Sequence, residues 1–203
     1  MRALRRFAQR DSHVERCALC NAELPPQHFH LLELASRRLV CGCQACTLLF
    51  SGDHSIRYRR VPRRVECLTE FRLSDAQWDS LQVPIDLVFF YYHSAAGKIV
   101  AQYPSPAGPM ESLLSLDAWR TLAANNPILN EFEPDVEALL VNRTEQARDY
   151  YRLPIDECYR LVGLVRLHWK GFSGGLDVRE AIERFLLDCK NGVTHEPSQQ
   201  KRP

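Results

Sequence analysis

Two cysteine pairs near the start of the chain constrain its fold more than any other feature. Each pair has the spacing C-x-x-C, Cys17 with Cys20 and Cys43 with Cys46, and a spacer of about twenty residues separates them. Two cysteines three positions apart on a tight turn can direct both sulfur atoms at one metal ion, and a second such turn completes a tetrahedron. The pattern therefore predicts a bound metal.

A fifth cysteine, Cys41, lies two positions before the second pair. Cys41 could replace Cys43 as a ligand, but it is five positions from Cys46 and does not form the same tight turn with it. We therefore expect Cys17, Cys20, Cys43 and Cys46 to be the ligands, with Cys41 as the alternative ligand. Four thiolates favour Zn²⁺ in a closed structural site, and iron in a rubredoxin-like site is the alternative.

The spacer between the cysteine pairs predicts a β-hairpin. Extended runs at 28–34 and 38–43 flank a turn at 35–37. His28 and His30 are two positions apart, so on a strand their side chains share one face. An exposed strand face is the simpler interpretation of these two histidines, and further metal ligands are the alternative.

Charge is distributed unevenly along the chain. The 203 residues are 45% hydrophobic, which suffices for one domain with a small added module. Residues 1–64 carry 12 Arg, no Lys and 5 acidic residues, whereas the rest carries 14 basic and 20 acidic side chains. This predicts a basic head on an acidic body. No apolar run is long enough for a membrane span and the start lacks a secretory signal, so we expect a cytoplasmic protein.

A cluster of basic side chains follows the predicted metal module. Its members are Arg57, Arg59, Arg60, Arg63 and Arg64. Arginines at alternate strand positions could follow a phosphate backbone, as in a nucleic-acid-binding regulator. We favour a docking face on which these arginines supply charge complementarity to a protein partner.

The remaining sequence predicts a mixed domain. Residues 86–93 form a short and nearly continuous apolar run, which is typical of a buried central strand, with 99–103 as its hairpin partner. The segment 103–109 contains three prolines and a glycine, so we expect a rigid loop without regular structure. Capping residues and apolar periodicity predict helices over 75–81, 116–124, 155–169 and 176–189.

These elements together predict an α+β protein. An N-terminal zinc-ribbon-like β-hairpin module is expected to pack on a mixed domain with an antiparallel sheet and C-terminal helices. The expected divisions are a basic N-terminal arm at 1–16, the metal module at 17–55, the α+β domain at 56–190 and a disordered tail at 191–203.

Several phrases of this sequence occur together in one bacterial family. They are Cys17-x-x-Cys20, His30-Leu31-Leu32-x-Leu34, Cys41-x-Cys43-x-x-Cys46-x-Leu48-Leu49-Phe50, Tyr103-Pro104-Ser105-Pro106-Ala107-Gly108 and Pro154-Ile155-Asp156-x-Cys158-Tyr159-Arg160-Leu161-Val162-Gly163-Leu164. Over about residues 17–188 the chain resembles an uncharacterised family of zinc-ribbon-like proteins whose genes lie beside those of nickel–iron hydrogenases. The resemblance implies a context in hydrogen metabolism and no particular reaction.

The predicted function is non-catalytic. A closed four-thiolate site leaves no position for water, so the metal would help a small segment to fold rather than activate a nucleophile. We expect a zinc-binding accessory protein that docks on a protein partner, for which the resemblance implies a hydrogenase subunit or maturation factor. A rubredoxin-like electron-transfer protein and a nucleic-acid-binding zinc-ribbon regulator are the alternatives.

Overall fold

The computed structural model describes residues 14–51, 57–171 and 174–192. The first part of the chain forms a head around a three-stranded antiparallel sheet of order β2-β1-β3. The elements of the head are β1 Phe29–Glu33, β2 Arg38–Gly42, α1 Gln44–Phe50 and β3 Tyr58–Arg60. The predicted hairpin near the cysteine cluster is confirmed, and β3 adds a strand from beyond the predicted module boundary at residue 55.

The rest of the chain forms a body around a six-stranded sheet of order β4-β9-β8-β5-β6-β7, in which every neighbouring pair is antiparallel. Its strands are β4 Glu66–Cys67, β5 Leu87–His93, β6 Lys98–Ser105, β7 Gly108–Ser112, β8 Glu137–Asn142 and β9 Asp149–Pro154. Its helices are α2 Asp75–Leu81, α3 Leu116–Asn125, α4 Ile155–His168 and α5 Gly175–Lys190, with 3-10 turns at Ser94–Ala96 and Pro127–Glu131. The predicted α+β class, with an antiparallel sheet and C-terminal helices, is confirmed.

Both faces of the body sheet are buried. Phe89 of β5 faces an apolar layer that includes residues of α4 and α5, and its neighbour Phe90 faces a second layer that includes residues of α2 and α3. Leu32 and Val61 of the head join the first layer. Successive strand residues point to opposite faces of a sheet, and both faces of this sheet are buried. Strand β5 must therefore be apolar along most of its length, as its sequence predicted.

The expectation of an irregular loop at 103–109 is wrong. Strand β6 continues to Ser105 and β7 begins at Gly108, with Pro104 opposite Pro109 in the register. Pro109 lies in β7, an edge of the sheet, where its missing N–H group is not needed by a further strand. Pro104 lies in β6 beyond Gln102, the last β6 residue that pairs with β5. The Ser105 hydroxyl closes the turn by donating to the carbonyl oxygen of Gly108 at 2.7 Å.

The predicted helices are present with small shifts of their ends. Helix α2 begins with a capping box, in which the side chains of Ser74 and Gln77 each bond the other's backbone N–H. Within the described ranges, no helix is both long and apolar enough to span a bilayer. The predicted arm at 1–16 and tail at 191–203 lie almost wholly outside the described residues.

A buried carboxylate, Asp135, joins the head to the body. Its side chain is 1% exposed and receives a hydrogen bond from Arg37 of the β1–β2 turn at 2.8 Å. Arg59 of β3 forms an ion pair with the same carboxylate at 3.3 Å. The backbone N–H of Ser94 also donates to it. Two cations of the head therefore converge on one anion of the body.

Candidate metal centre

The four predicted cysteines lie together in the head. The sulfur atoms of Cys17, Cys20, Cys43 and Cys46 are all within 4.8 Å of one another, so the group could hold a metal ion. The Sγ atoms of Cys20 and Cys43 are 3.7 Å apart. Metal–sulfur bonds of about 2.3 Å in a tetrahedron require sulfur–sulfur distances of about 3.8 Å. The Cys20–Cys43 distance matches this value, and the other sulfur atoms are close enough to share one ion.

The first cysteine pair lies on a tight turn. The backbone N–H of Asn21 donates to the carbonyl oxygen of Cys17 at 2.9 Å, and Asn21 has the left-handed φ of 63° that closes such a turn. The N–H of Ala18 donates to the carbonyl oxygen of Cys41 at 2.9 Å. This bond fixes the first turn against the end of β2.

The second cysteine pair begins helix α1. Cys43 is the N-cap residue, and its sulfur accepts a hydrogen bond from the N–H of Cys46 at 3.4 Å. Gly42 precedes it at a crowded position, where a Cβ atom would lie 2.8 Å from Thr47 Oγ1 and 3.3 Å from Leu31 Cδ1. Glycine therefore allows α1 to turn back closely against β1 and β2.

The thiols of this group differ in their affinity for protons. Burial alone would raise the pKa of Cys17, but backbone hydrogen bonds from Cys43, Leu19 and Cys20 outweigh it and lower the pKa to about 6. Burial and the neighbouring thiols raise the pKa of Cys46 to about 12. The Cys17 thiolate therefore forms readily, whereas a bound cation would favour ionisation of Cys46.

Cys41 lies in a different group, together with His28 and His30. The ligand-type atoms of these three side chains are also within 4.8 Å of one another. Cys41 is directly opposite His30 in the β1–β2 register. The expectation that the two histidines are exposed is wrong, because His28 is 8% exposed and His30 is half-buried.

The fourth member of this neighbourhood comes from the body. Asp156, near the start of α4, has its Oδ2 atom 2.7 Å from Nδ1 of His30. Burial alone would lower the pKa of His30, but its contacts with Asp156 and Cys41 outweigh burial and raise the pKa to about 10. Sequence reasoning missed Asp156 because 126 positions separate it from His30. The spacing of the two histidines and the register of the hairpin were the sequence signals that could have placed His30 beside Cys41.

One protein-family profile matches residues 16–192, and its description is "Family of unknown function (DUF5947)". The chain belongs to this family. No curated protein and no solved structure matches the chain. The description of DUF5947 contains no activity, so the residues themselves must carry the functional argument for this member.

Two of the five predicted arginines of this DUF5947 protein are used inside the fold. Besides pairing with Asp135, Arg59 donates to the carbonyl oxygen of Pro134 at 2.9 Å. Arg63 donates to the carbonyl oxygen of His28 at 2.7 Å. These contacts hold β3 and the chain after it against the rest of the molecule.

The other three arginines are exposed. Arg57 pairs with Glu33 at 3.2 Å, and Arg60 lies over the ring of Phe29 at 4.5 Å. Arg64 pairs with Glu66 at 3.8 Å and with the buried Glu137 of the body at 3.7 Å. Pairs with an exposed cation contribute little to stability. Their positive charge nevertheless remains at the surface of the head.

Proposed function

We propose that this protein is a non-catalytic zinc-binding accessory protein whose head is held in shape by Zn²⁺ on Cys17, Cys20, Cys43 and Cys46. The observation that carries the proposal is the closed group of four sulfur atoms, all within 4.8 Å. Four thiolates occupy every position of a tetrahedral Zn²⁺ and leave none for a reacting water. Such an ion stabilises a small fold and performs no chemistry of its own.

The apolar packing around the thiols supports a structural role for the ion. Among the described residues, Leu24 is buried beside the cysteines and Leu19 packs there partly buried. So few apolar side chains cannot form a core of useful size. The ion takes the place that a hydrophobic core has in a larger domain.

The exposed end of α1 is the docking surface that we propose. Leu48 and Leu49 are 67% and 75% exposed, on a helix whose first residue follows the metal ligand Cys43. The ion thereby sets the direction in which these leucines point. Neighbouring apolar side chains at the surface are typical of a protein interface. The exposed Arg57 and Arg60 suit a partner with an acidic rim.

The partner that we propose is a hydrogenase subunit or maturation factor. This choice rests on the sequence resemblance alone. We also place the protein in the cytoplasm, since all eight cysteines are free and a reducing compartment keeps them so.

Metal analysis tests the ion. We expect protein purified without added metal to be colourless and to contain zinc. Cys43→Ser should contain one equivalent of zinc less than the wild type. Iron together with a thiolate-to-iron absorption band would contradict the proposal and support the rubredoxin-like alternative.

Affinity purification tests the docking surface. The tagged chain is purified from cells that express a nickel–iron hydrogenase, beside a Leu48→Ser/Leu49→Ser variant. A matched control replaces Leu167 and Leu187, which are 68% and 57% exposed on other helices. We expect a hydrogenase component, identified by mass spectrometry, with the wild type and the control and not with the α1 variant. Its absence from all three samples would contradict the proposed partner.

Salt dependence tests the nucleic-acid alternative. If the exposed arginines contacted phosphates, binding to duplex DNA would weaken steeply with rising salt. We expect no such binding at physiological salt. Salt-dependent binding that is lost from Arg57→Ala/Arg60→Ala would favour a regulator over an accessory protein.

A further inference from the structure

His28, His30 and Cys41 form a group of ligand-type side chains that the four-cysteine site does not use. Their nitrogen and sulfur donors lie within 4.8 Å of one another. The two imidazole rings are nearly perpendicular, with centroids 5.2 Å apart. Two imidazoles and one thiol at this separation match the donors of a transition-metal site.

The contact between His30 and Asp156 orients the first imidazole. Nδ1 of His30 is 2.7 Å from the Asp156 carboxylate, so this nitrogen carries the proton that is shared with the carboxylate. The second oxygen of Asp156 accepts from the N–H of Glu157 at 2.9 Å, which fixes the carboxylate at the start of α4. Nε2 of His30 would bind an ion in exchange for the proton that it carries in the metal-free chain. Metal-binding histidines commonly have this carboxylate partner.

His28 has the same arrangement with a backbone acceptor. Its Nδ1 lies 3.0 Å from the carbonyl oxygen of Pro25 and donates to it. Its side chain is 2% exposed, yet its Nε2 has no hydrogen-bond partner among the described residues. A buried polar atom without a hydrogen-bond partner destabilises the fold. A cation at this position would give Nε2 the partner that it lacks.

We propose that His28, His30 and Cys41 bind a second Zn²⁺ ion, through both Nε2 atoms and the Cys41 thiolate, with a fourth position open to water or an added ligand. Three protein ligands and one exchangeable position distinguish this site from the closed four-cysteine site. Because Asp156 belongs to the body, the ion would also link the two parts of the molecule.

A reactive cysteine is the other use that these residues suggest. Cys41, His30 and Asp156 have the order of a nucleophile, its base and an orienting carboxylate. That arrangement gives no role to the buried and unpaired Nε2 of His28. A metal ion gives all three side chains a role, and we therefore argue for the ion.

Titration of the metal-free full-length chain under reducing conditions tests the second site. Co²⁺ is added first as a spectroscopic probe and is then displaced by Zn²⁺. We expect two equivalents to bind. Cys41→Ser should bind one equivalent with the spectrum of a four-thiolate site, and Cys43→Ser should lose that spectrum. The two sites, and the failure of either proposal, are thereby distinguished.

Two further variants separate metal binding from folding. Cys67→Ser removes a partly buried thiol that belongs to neither group, and should keep both equivalents. Asp156→Asn should weaken the second equivalent about 10–100-fold and leave the first unchanged, because an outer carboxylate tunes its own histidine only. If Cys41→Ser does not fold, His28→Ala gives the same test and should also bind one equivalent.

Two results would overturn the second site. One is that the wild-type chain binds a single equivalent of metal and that Cys41→Ser and His28→Ala both still bind it. The other is rapid alkylation of Cys41 by iodoacetamide in the zinc-saturated chain, with a rate that His28→Ala leaves unchanged. The second result would instead support a nucleophilic cysteine.

Discussion

The interior of the head and the interior of the body are stabilised by different interactions. The body places apolar layers on both faces of a six-stranded sheet, so that Phe89 and Phe90, adjacent in sequence, are buried on opposite sides. The head has one small apolar cluster of Leu31, Val40 and Tyr58, beside its group of thiols. Hydrophobic burial dominates the interior of the body, whereas the head combines little apolar packing with a group of thiols that could hold a metal ion.

Besides Leu32 and Val61, which join an apolar layer of the body, polar contacts connect the two parts. Asp135 holds Arg37 and Arg59 of the head, and Asp156 holds His30. Because buried polar contacts require defined geometry, they fix how the head sits on the body. Changes at the metal ligands, in the body core and at this junction should therefore affect the two parts differently.

Metal removal should have the largest effect and should be confined to the head. Structural Zn²⁺ contributes about 10–16 kcal/mol to the folding of small zinc-binding peptides. With a chelator, or in Cys43→Ser, we expect amide exchange in α1 and the first cysteine turn to accelerate by at least about 10³-fold. Exchange in β5 and β8 should hardly change. Hydrogen-exchange mass spectrometry measures both, and equal loss in the two parts would contradict the division.

Truncation of a core side chain should destabilise the body and leave metal binding by the head unchanged. Phe89 is fully buried in the body, and Phe89→Ala should lower the free energy of unfolding by about 3–5 kcal/mol. Zinc content of the folded protein should stay that of the wild type, because the thiols do not contact this layer. Urea unfolding and metal analysis provide the two readouts. A loss of zinc from the folded variant would show that the head depends on the body core.

Loss of charge at the junction should affect both parts. Asp135→Asn keeps a residue type that tolerates the backbone φ of 70° but leaves two arginines without their anion. We expect a loss of about 2–4 kcal/mol, less than for a fully buried pair because Arg59 is partly exposed. Asp117→Asn, whose side chain is 91% exposed, is the control and should cost less than about 0.5 kcal/mol. Equal losses in urea unfolding would contradict the role of Asp135.

Crowding at Gly42 should have the smallest effect. Gly42→Ala brings a Cβ atom against Thr47 and Leu31, and should cost about 1–3 kcal/mol and weaken zinc binding. Gly97→Ala has open space around it and costs about 1 kcal/mol through its φ of 63° alone. Competition with a zinc-binding dye separates the two variants. Weaker zinc binding in both would mean that crowding beside the cysteines is not the cause.

Local spacing predicted much of the fold and of the candidate centre. The two C-x-x-C turns predicted the four-thiol group, and the sequence between them predicted the hairpin. The continuous apolar run predicted the central strand β5, and the cap residue Ser74 predicted the start of α2. In each case the signal lies within one turn or one strand, where neighbouring residues alone determine the geometry.

Predictions failed where the outcome depended on a distant part of the chain. Pro109 suits a strand because β7 is an edge, and Pro104 suits β6 because it lies beyond the last β5–β6 pair. The segment itself reveals neither fact. His28 is buried because other parts of the chain cover it. A sequence pattern indicates which local structure a residue prefers. It does not indicate which part of the chain will pack against that residue.

By itself, the sequence determined that one group of four thiols would form, because cysteine spacing controls the turn that aims each sulfur atom. Only the tertiary structure decided that Cys41 would leave that group and join His28 and His30. The strand register places Cys41 opposite His30, and the packing of α4 brings Asp156 to the same histidine. Strand register and helix packing depend on which faces of the strands and helices are buried. A short sequence motif does not carry that information.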